Sequence, residues 1–320
     1  MWIYSISKLK CSSLNGLYHR QPRRGQGHAC GVFAAGFDGS DRATVWKDNA
    51  VIGQMWDTGG FFNSVWVSGS AVHAVGQTPD GRPFYWRSGN SDTFYVLGSG
   101  QGCATSVCVS EGRVFVAGWD ATGGKVWKDG AQQYDLGIGS RPWGISVPGI
   151  GNSVYAAGYD DRRGCIWLNG ELIDTINDES AALYSIDVSG GVFYAAGECA
   201  GCPAWKKAGD PGLRFLGSGG GLASSLRLSE DYLYIAGHDD MGGRVWRGLA
   251  QGTIMSTYVG IGGGAEPESV FVFDGDVYSS GWKDGGRVWR NSMQIRDFGA
   301  GSNVYSIFSY GAVALSDKAT

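Results

Sequence analysis

One line of sequence recurs seven times along the chain, and this repeat constrains the fold more than any other feature. It reads VYAAGYDDRRGCIWLNG at 154–170, LYIAGHDDMGGRVWRG at 233–248 and VYSSGWKDGGRVWRN at 277–291. A tryptophan marks each copy: Trp46, Trp86, Trp127, Trp167, Trp205, Trp246 and Trp289. The steps between them are 38 to 43 residues. Periods near this length belong either to helical repeats or to four-stranded propeller blades, so the local pattern must decide between them.

The local pattern within each repeat is that of short strands. The segments 185–188, 154–157 and 165–167 are rich in β-branched and aromatic residues, and Gly, Asn and Asp separate such segments every eight to twelve residues. No stretch carries helical apolar spacing over three turns. The 55 glycines among 320 residues fit a chain with many tight turns. The sequence therefore predicts an all-β fold, a seven-bladed β-propeller of four-stranded antiparallel blades.

The repeated motifs also resemble known repeat families. The alternation of VYxAG, W-K-D/N-G, LG and S-I-x-V over about residues 32–310 is similar to bacterial surface-protein propeller repeats of the VYVAG…YWKNG type, and more loosely to HAF repeats. The resemblance implies a propeller and a binding or surface role. It specifies no activity, because propellers carry many functions.

The two ends of the chain bear on how the ring closes. The segment YSIFSYGAVALS at 305–316 has no tryptophan strand after it, and the first repeat lacks an S-I-x-V segment. We expect residues 1–31 to form a lead-in segment, and residues 32–320 to form the propeller, closed by a strand from the C-terminus. The alternative is closure by MWIYSIS at 1–7.

Charge and cysteine content narrow the function classes. The net charge of −4 and the pI of about 5.6 predict neither a nucleic-acid partner nor an anionic membrane partner. No signal peptide or membrane span is visible, and seven cysteines without framework spacing favour an intracellular protein, with a secreted mature fragment as the alternative. The single CxxC, 199–202, lacks partners for zinc. We expect a soluble monomer without metal or cofactor.

One varied column inside the regular repeat predicts the functional face. A glycine ends the second strand of every copy, and the residue after it differs in each: Phe37, Gln77, Trp119, Tyr159, Glu198, His238 and Trp282. The residue after that one is Asp38, Thr78, Asp120, Asp160, Cys199, Asp239 or Lys283. Equivalent positions share one face of the disc. Aromatic rings beside carboxylates suit a sugar or a small polycyclic molecule. Packing between blades and Asx-turns are the structural alternative.

Three functions follow from this column. The first is recognition of a glycan or small molecule in one asymmetric pocket. The predicted ligand-binding residues are Phe37, Gln77, Trp119, Tyr159, Trp282, Asp38, Asp120 and Lys283. The second is a lyase, glycoside hydrolase or cyclase, with Glu198 and His238 as acid and base and with Asp239 or Asp160 orienting the imidazole. The third is a protein–protein interaction scaffold.

Overall fold

The chain folds into seven four-stranded antiparallel sheets, which confirms the predicted propeller. The computed structural model describes residues 30–89, 92–149, 153–161, 163–217, 219–252 and 255–311. Its 28 strands, β1 to β28, form blades 1 to 7 in chain order: β1–β3 with β28, then β4–β7, β8–β11, β12–β15, β16–β19, β20–β23 and β24–β27. No helix in these ranges has the length and hydropathy that crossing a membrane requires.

Each blade runs from the central axis outward. The innermost strands are β4 (Phe61–Ser68), β8 (Cys103–Ser110), β12 (Ser140–Ser146), β16 (Ala182–Ser189), β20 (Leu222–Ser229), β24 (Glu266–Phe273) and β28 (Asn303–Gly311). The second strands are β1 (Cys30–Phe37), β5 (Ala71–Gln77), β9 (Arg113–Asp120), β13 (Tyr155–Asp160), β17 (Val192–Cys199), β21 (Tyr232–Asp239) and β25 (Asp276–Trp282). The third strands are β2 (Ala43–Lys47), β6 (Pro83–Arg87), β10 (Gly123–Lys128), β14 (Arg163–Leu168), β18 (Cys202–Lys207), β22 (Gly242–Leu249) and β26 (Gly286–Arg290). The outer strands are β3 (Ala50–Met55), β7 (Thr93–Val96), β11 (Ala131–Gly137), β15 (Glu171–Ile176), β19 (Arg214–Phe215), β23 (Ser256–Gly262) and β27 (Met293–Asp297).

Blade 1 joins the two ends of the described chain. Its innermost strand, β28, pairs antiparallel with β1, so that Ala34 lies opposite Ile307. The innermost strand of blade 1 is thus supplied from the end of the chain, and the ring has no open edge between blades 7 and 1. The alternative N-terminal segment 1–7 lies outside the described residues.

The repeated tryptophans pack between the blades. All seven are buried, with at most 5% of their surface exposed. Trp127 of blade 3 packs in one cluster with Tyr85 and Leu97 of blade 2, and Trp205 of blade 5 packs with Leu226 of blade 6. These side chains therefore pack neighbouring blades against one another.

A serine at the position of the S-I-x-V serine links neighbouring blades at the axis. In five places a backbone N–H of one inner strand donates to a serine Oγ of the preceding blade. These pairs are Val65 N to Ser306, Val107 N to Ser64, Leu226 N to Ser185, Val270 N to Ser225 and Ile307 N to Ser269, at 3.0 to 3.3 Å. The inner strands are thus joined laterally by hydrogen bonds as well as by apolar packing.

Candidate functional site

The column predicted from the sequence lies at one face of the disc. Its seven residues sit near the ends of the second strands and pair with the beginnings of the inner strands, as Glu198 pairs with Ala182 and Trp282 with Glu266. Six of the seven are partly buried, and Trp282 is 38% exposed. We call this the entry face, and the seven residues Phe37, Gln77, Trp119, Tyr159, Glu198, His238 and Trp282 its rim.

A second varied column, which the sequence analysis did not identify, points into the centre of the ring. Each inner strand carries a β-bulge just inside the entry face, where one residue is skipped in the pairing with the second strand. The seven skipped residues are Asn63, Thr105, Trp143, Tyr184, Ser224, Glu268 and Tyr305. All seven line one central cavity of about 570 Å³.

The repeated glycines explain why every blade has this bulge. A Cβ atom at any of the seven strand-ending glycines would lie 1.8 to 2.1 Å from a carbonyl oxygen of the inner strand; at Gly197 that oxygen belongs to Ala182. Only a residue without a side chain allows the two backbones to approach this closely. The glycine is therefore the sequence signal for the bulge that lies across from it.

Four side chains span the cavity at its inner end. They lie three residues beyond the bulges: Trp66, Arg227, Phe271 and Phe308. The ring centroids of Phe308 lie 5.2 Å from Trp66 and 4.7 Å from Phe271. The guanidinium of Arg227, from blade 6, lies 5.5 Å from the ring of Trp66 in blade 2, on the other side of the ring. These contacts give the cavity a floor, so it is a cup that opens at the entry face.

The cation in the floor is held by a carboxylate and two aromatic rings. Arg227 lies 3.9 Å from Asp187 Oδ2 and 5.2 Å from the centroid of Phe271. Asp187 Oδ2 also accepts a hydrogen bond of 3.0 Å from the backbone N–H of Leu228. Since Arg227 is the one cationic side chain among the described residues that line the cup, no unpaired positive charge faces the cavity.

Aromatic rings form one wall of the cup. Trp143 lies 6.0 Å from Tyr184, edge to face, and 5.5 Å from the rim residue Trp119, over which the Arg141 guanidinium stacks at 5.1 Å. The indole Nε1 of Trp143 is enclosed and has no hydrogen-bond partner among the described residues. The wall thus offers aromatic faces, while the unpaired N–H of Trp143 is enclosed behind them.

A second aromatic group stands at the other side of the cup. Tyr305 lies 5.9 Å from the rim residue Phe37 and 5.9 Å from Phe61. Burial, followed by a hydrogen bond with Asn303 that acts in the opposite direction, leaves the pKa of Tyr305 raised. Tyr305 therefore stays a neutral phenol in the physiological range.

Glu268 is the one acidic side chain among the described residues that line the cup. Burial is the larger cause, and the charge of Glu266 the smaller one, of a pKa for Glu268 that is raised to about 7. Within the described structure no hydrogen bond or ion pair reaches its carboxyl group. A carboxyl group in this state exchanges protons near neutral pH.

The predicted acid and base occupy the rim rather than the cup. The Tyr184 hydroxyl donates to Oε1 of Glu198 at 2.5 Å, and burial together with this bond raises the pKa of Tyr184. His238 Nδ1 is buried and without a partner among the described residues. No hydrogen bond or ion pair in the described structure joins His238 to Glu198, although they lie in adjacent blades.

The aspartates that follow the rim residues organise turns. Asp120 accepts from Thr122 N at 2.8 Å and Asp239 accepts from Met241 N at 2.9 Å, and both also pair with cations of their own blades. Asp38 likewise accepts from Ser40 N. These bonds are those of Asx-turns, the structural alternative for this column.

The remaining predicted residues lie around the same face. Asp160 and Lys283 are partly buried; Asp160 pairs with Ser140 at the start of an inner strand, and the backbone of Lys283 closes a turn with Gly285. Gln77 donates to the Gly102 carbonyl at 2.8 Å, and Tyr159 pairs with Arg141. Three rim residues, Phe37, Trp119 and Glu198, contact residues of the bulge column directly.

The structure describes no cluster of three or more His, Cys, Asp or Glu side chains placed to hold a metal, within the ranges given above. Cys199 and Cys202 face each other across the β17–β18 turn as free thiols. Burial raises the pKa of the Cys199 thiol, with Asp178 as the next cause. The Cys199 thiol is therefore protonated at neutral pH and a poor nucleophile.

The solved structures that share the fold include a designed protein and a bacterial one. The computationally designed Ika8 protein is 18% identical with a TM-score of 0.57, over 88% of this chain and 90% of that one. A putative 6-phosphogluconolactonase from Bacteroides fragilis is 11% identical with a TM-score of 0.58, over 88% of this chain and 98% of that one. No family model and no curated protein matches the sequence. At these identities the likeness shows the propeller fold alone, and the kinship with VYVAG…YWKNG and HAF repeats stays a resemblance.

Proposed function

We propose that the protein is a ligand-recognition propeller whose central cup binds one ring of a glycan or of another small molecule. The observation that carries this proposal is that seven bulges direct seven side chains, of six residue types, into one cavity. Its volume, about 570 Å³, falls within the range of about 300–1,000 Å³ that is usual for small-molecule sites.

The lining of the cup supports a ring-shaped ligand. Trp143, Tyr184 and Tyr305 offer flat apolar area at low entropic cost, while Asn63 and Glu268 offer polar groups at fixed positions. The asymmetry also matters. A propeller that binds one ligand in each blade repeats its binding residues, whereas here the bulge column varies, so the proposal is a single site on the axis. The rim residues Phe37, Gln77, Trp119, Tyr159 and Trp282 would then surround its mouth.

The charge of the cup argues against an anionic ligand. Arg227 is paired with Asp187 at the floor, and Glu268 faces the cavity without a partner. A phosphorylated molecule would meet this carboxyl group with no free cation to neutralise it. The activity in the name of the Bacteroides fragilis protein is therefore not transferred to this chain.

Binding of a broad glycan and small-molecule panel tests the proposal, with three variants measured beside the wild type. Trp143→Ala removes an aromatic face of the cup, Trp282→Ala removes an exposed rim ring, and Phe215→Ala removes a more exposed ring on outer strand β19. We expect Trp143→Ala to weaken binding about tenfold or more, equivalent to about 1.4 kcal/mol. Phe215→Ala should leave the affinity within about twofold.

Two outcomes would count against the cup. Equal affinity in the wild type and Trp143→Ala would place the ligand elsewhere, and loss in Trp282→Ala alone would place it on the rim outside the cup. Trp143→Phe keeps an aromatic face in the same place, so recovery of binding in this variant separates lost stacking from a folding defect.

An acid–base enzyme is the second candidate, and the state of Glu268 is the observation that favours it. A general acid or base works best with a pKa near the working pH, and the pKa of Glu268 is raised to about 7. The Tyr184–Glu198 pair supplies a second proton-carrying group at the mouth. Recovery of chemically altered ligand by the wild type, and its absence with Glu268→Gln, would favour this candidate. Activity that requires Glu198 and His238 but not Glu268 would favour the pair predicted from the sequence.

A further inference from the structure

The cup contains an acidic group without a partner. Glu268 stands on the bulge of β24, between the bulges of β20 and β28, and neither an ion pair nor a hydrogen bond connects its carboxyl group to any described residue. Buried carboxyl groups are normally paired or hydrogen-bonded, because the charged form is costly to desolvate. Glu268 is partly buried, and its carboxyl group is therefore an acceptor that the fold leaves to water or to a ligand.

Three neutral donors around the cup are already engaged. The hydroxyl of Ser224, on the neighbouring bulge, donates to the Pro267 carbonyl, and that of Thr105 donates to the Pro142 carbonyl at 2.8 Å. The amide of Asn63 donates to the Ala104 carbonyl at 2.9 Å. None of these three side chains is committed to the acidic group.

The charged and titratable groups that face Glu268 do not neutralise it either. Glu266 on the same strand is acidic and raises the cost of ionisation. On the adjacent inner strand, Arg227 is held in the floor by Asp187. The phenols of Tyr305 and Tyr184 remain neutral, because their pKa values are raised and the charge of Glu268 contributes to both shifts.

We infer that the ligand of the cup carries a cationic amine, as an amino-substituted or quaternary-ammonium ring does, and that Glu268 is its counter-ion. The inference rests on the proposed binding function and specifies the ligand's charge. The aromatic lining suits the same group, because ammonium ions are attracted to the faces of Trp and Tyr rings when desolvated. Trp143 and Tyr184 on one wall, and Tyr305 on the other, present such rings around a single unpaired acid.

Binding of a cation at Glu268 has a definite pH dependence. Below pH 7 the empty site is mostly protonated, since the pKa of Glu268 is about 7, and a proton must leave before the ion pair forms. The affinity for an amine that stays protonated should therefore rise with pH, by up to about tenfold per unit below pH 7, and level off above it. A neutral ligand gains no ion pair, and its affinity should stay flat or fall as the carboxyl group loses its proton.

The experiment compares ligands that share a ring and differ in whether one substituent is charged. Calorimetry would measure glucosamine against glucose, and cyclohexylamine and trimethylcyclohexylammonium against cyclohexanol, at pH 5.5, 6.5, 7.5 and 8.5. We expect at least one amine to bind about tenfold or more tightly than its neutral partner above pH 7, with the preference shrinking as the pH falls. Glu268→Gln should abolish the preference, while Glu266→Gln, which alters an exposed acid on the same strand, should retain most of it.

The outcomes separate this inference from the proposed function. Equal binding of amines and neutral partners, no binding of any amine up to its solubility limit, or a preference that survives Glu268→Gln would each overturn the inference. Neutral ligands that bind the wild type but not Trp143→Ala would leave the proposed function standing without it. Thermal unfolding of Glu268→Gln identifies a folding defect, and Glu268→Asp, which keeps the charge, should restore part of the preference.

Discussion

A Cβ atom at Gly281 would lie 2.1 Å from the carbonyl oxygen of Glu266, on the inner strand beside it. Two residues further along that strand, Glu268 leaves the pairing and enters the cup. The absence of a side chain at one position and the presence of an acid in the site are thus parts of one local arrangement. The same arrangement recurs in all seven blades, with six residue types at the seven bulges.

Gly281→Ala should damage both the blade and the site. The new methyl group overlaps backbone atoms that no side-chain rotation can move, so the bulge must shift, and we expect a loss of about 1–3 kcal/mol of stability. Urea denaturation measures this loss, and ligand binding should weaken with it. Gly260→Ala is the control, because that glycine lies in outer strand β23 with nothing within 4 Å of its missing Cβ. Equal stability of the two variants would contradict the role given to Gly281.

The sequence predicts the scaffold better than the site, and the bulge shows why. The period, the repeated tryptophans and the strand-ending glycines can all be read by comparing the seven copies of the repeat. Which side chain faces the axis depends on pairing between two strands, and one skipped residue changes the face that the next side chain occupies. Tyr184 and Tyr305 each stand directly before the serine of an S-I segment, so the sequence shows that this position varies between repeats. Nothing in the sequence of a single strand shows that the position is a β-bulge.

Ser306→Ala should weaken the closure of the ring. Its hydroxyl oxygen accepts from Val65 N at 3.1 Å, and it joins the strand from the end of the chain to blade 2. Without this acceptor the buried N–H is unsatisfied, and we expect a loss of about 1–3 kcal/mol in the free energy of unfolding. Ser189→Ala, at an exposed position of β16, should change stability by less than about 0.5 kcal/mol. An indistinguishable pair of denaturation midpoints would rule out a contribution from this bond.

Arg227→Ala should open the floor of the cup and destabilise the ring. The change removes the stacking on Trp66 and Phe271 and leaves Asp187 partly buried without its cation. We expect a loss of about 2–4 kcal/mol, somewhat less than for a fully buried pair. Arg113→Ala breaks the exposed pair with Asp129 instead and should cost no more than about 1 kcal/mol. Thermal unfolding of both variants checks the difference, and similar losses would mean that the floor adds nothing beyond a surface ion pair.

Two titratable groups, the buried His73 and the partly buried Glu268, should give the protein opposite pH dependences of stability. His73 is held neutral: its Nδ1 lies 2.7 Å from the Tyr85 hydroxyl, and burial, followed by the charge of Arg87, lowers its pKa to about 4. Between pH 4 and about 6.5 the unfolded chain binds the extra proton, so stability rises with pH. Glu268 acts in the other direction. Its pKa is raised from 4.5 to about 7, so the folded state binds the extra proton in that window and stability falls as the pH rises.

Between about pH 4.5 and 6.5 both groups change the stability with pH, in opposite directions, and the two effects largely cancel. A variant that removes one group should therefore reveal the effect of the other. His73→Gln should leave a stability that falls with rising pH up to about 7, whereas Glu268→Gln should leave one that rises with pH up to about 6.5. Each slope is at most about 1.4 kcal/mol per pH unit, and the double variant should return to the flatter wild-type profile. Urea midpoints at half-unit steps from pH 4 to 8 measure all four profiles. Four parallel profiles of stability against pH would show that neither His73 nor Glu268 has a shifted pKa. A profile that changes only in Glu268→Gln would show that Glu268 titrates with a shifted pKa and that His73 does not.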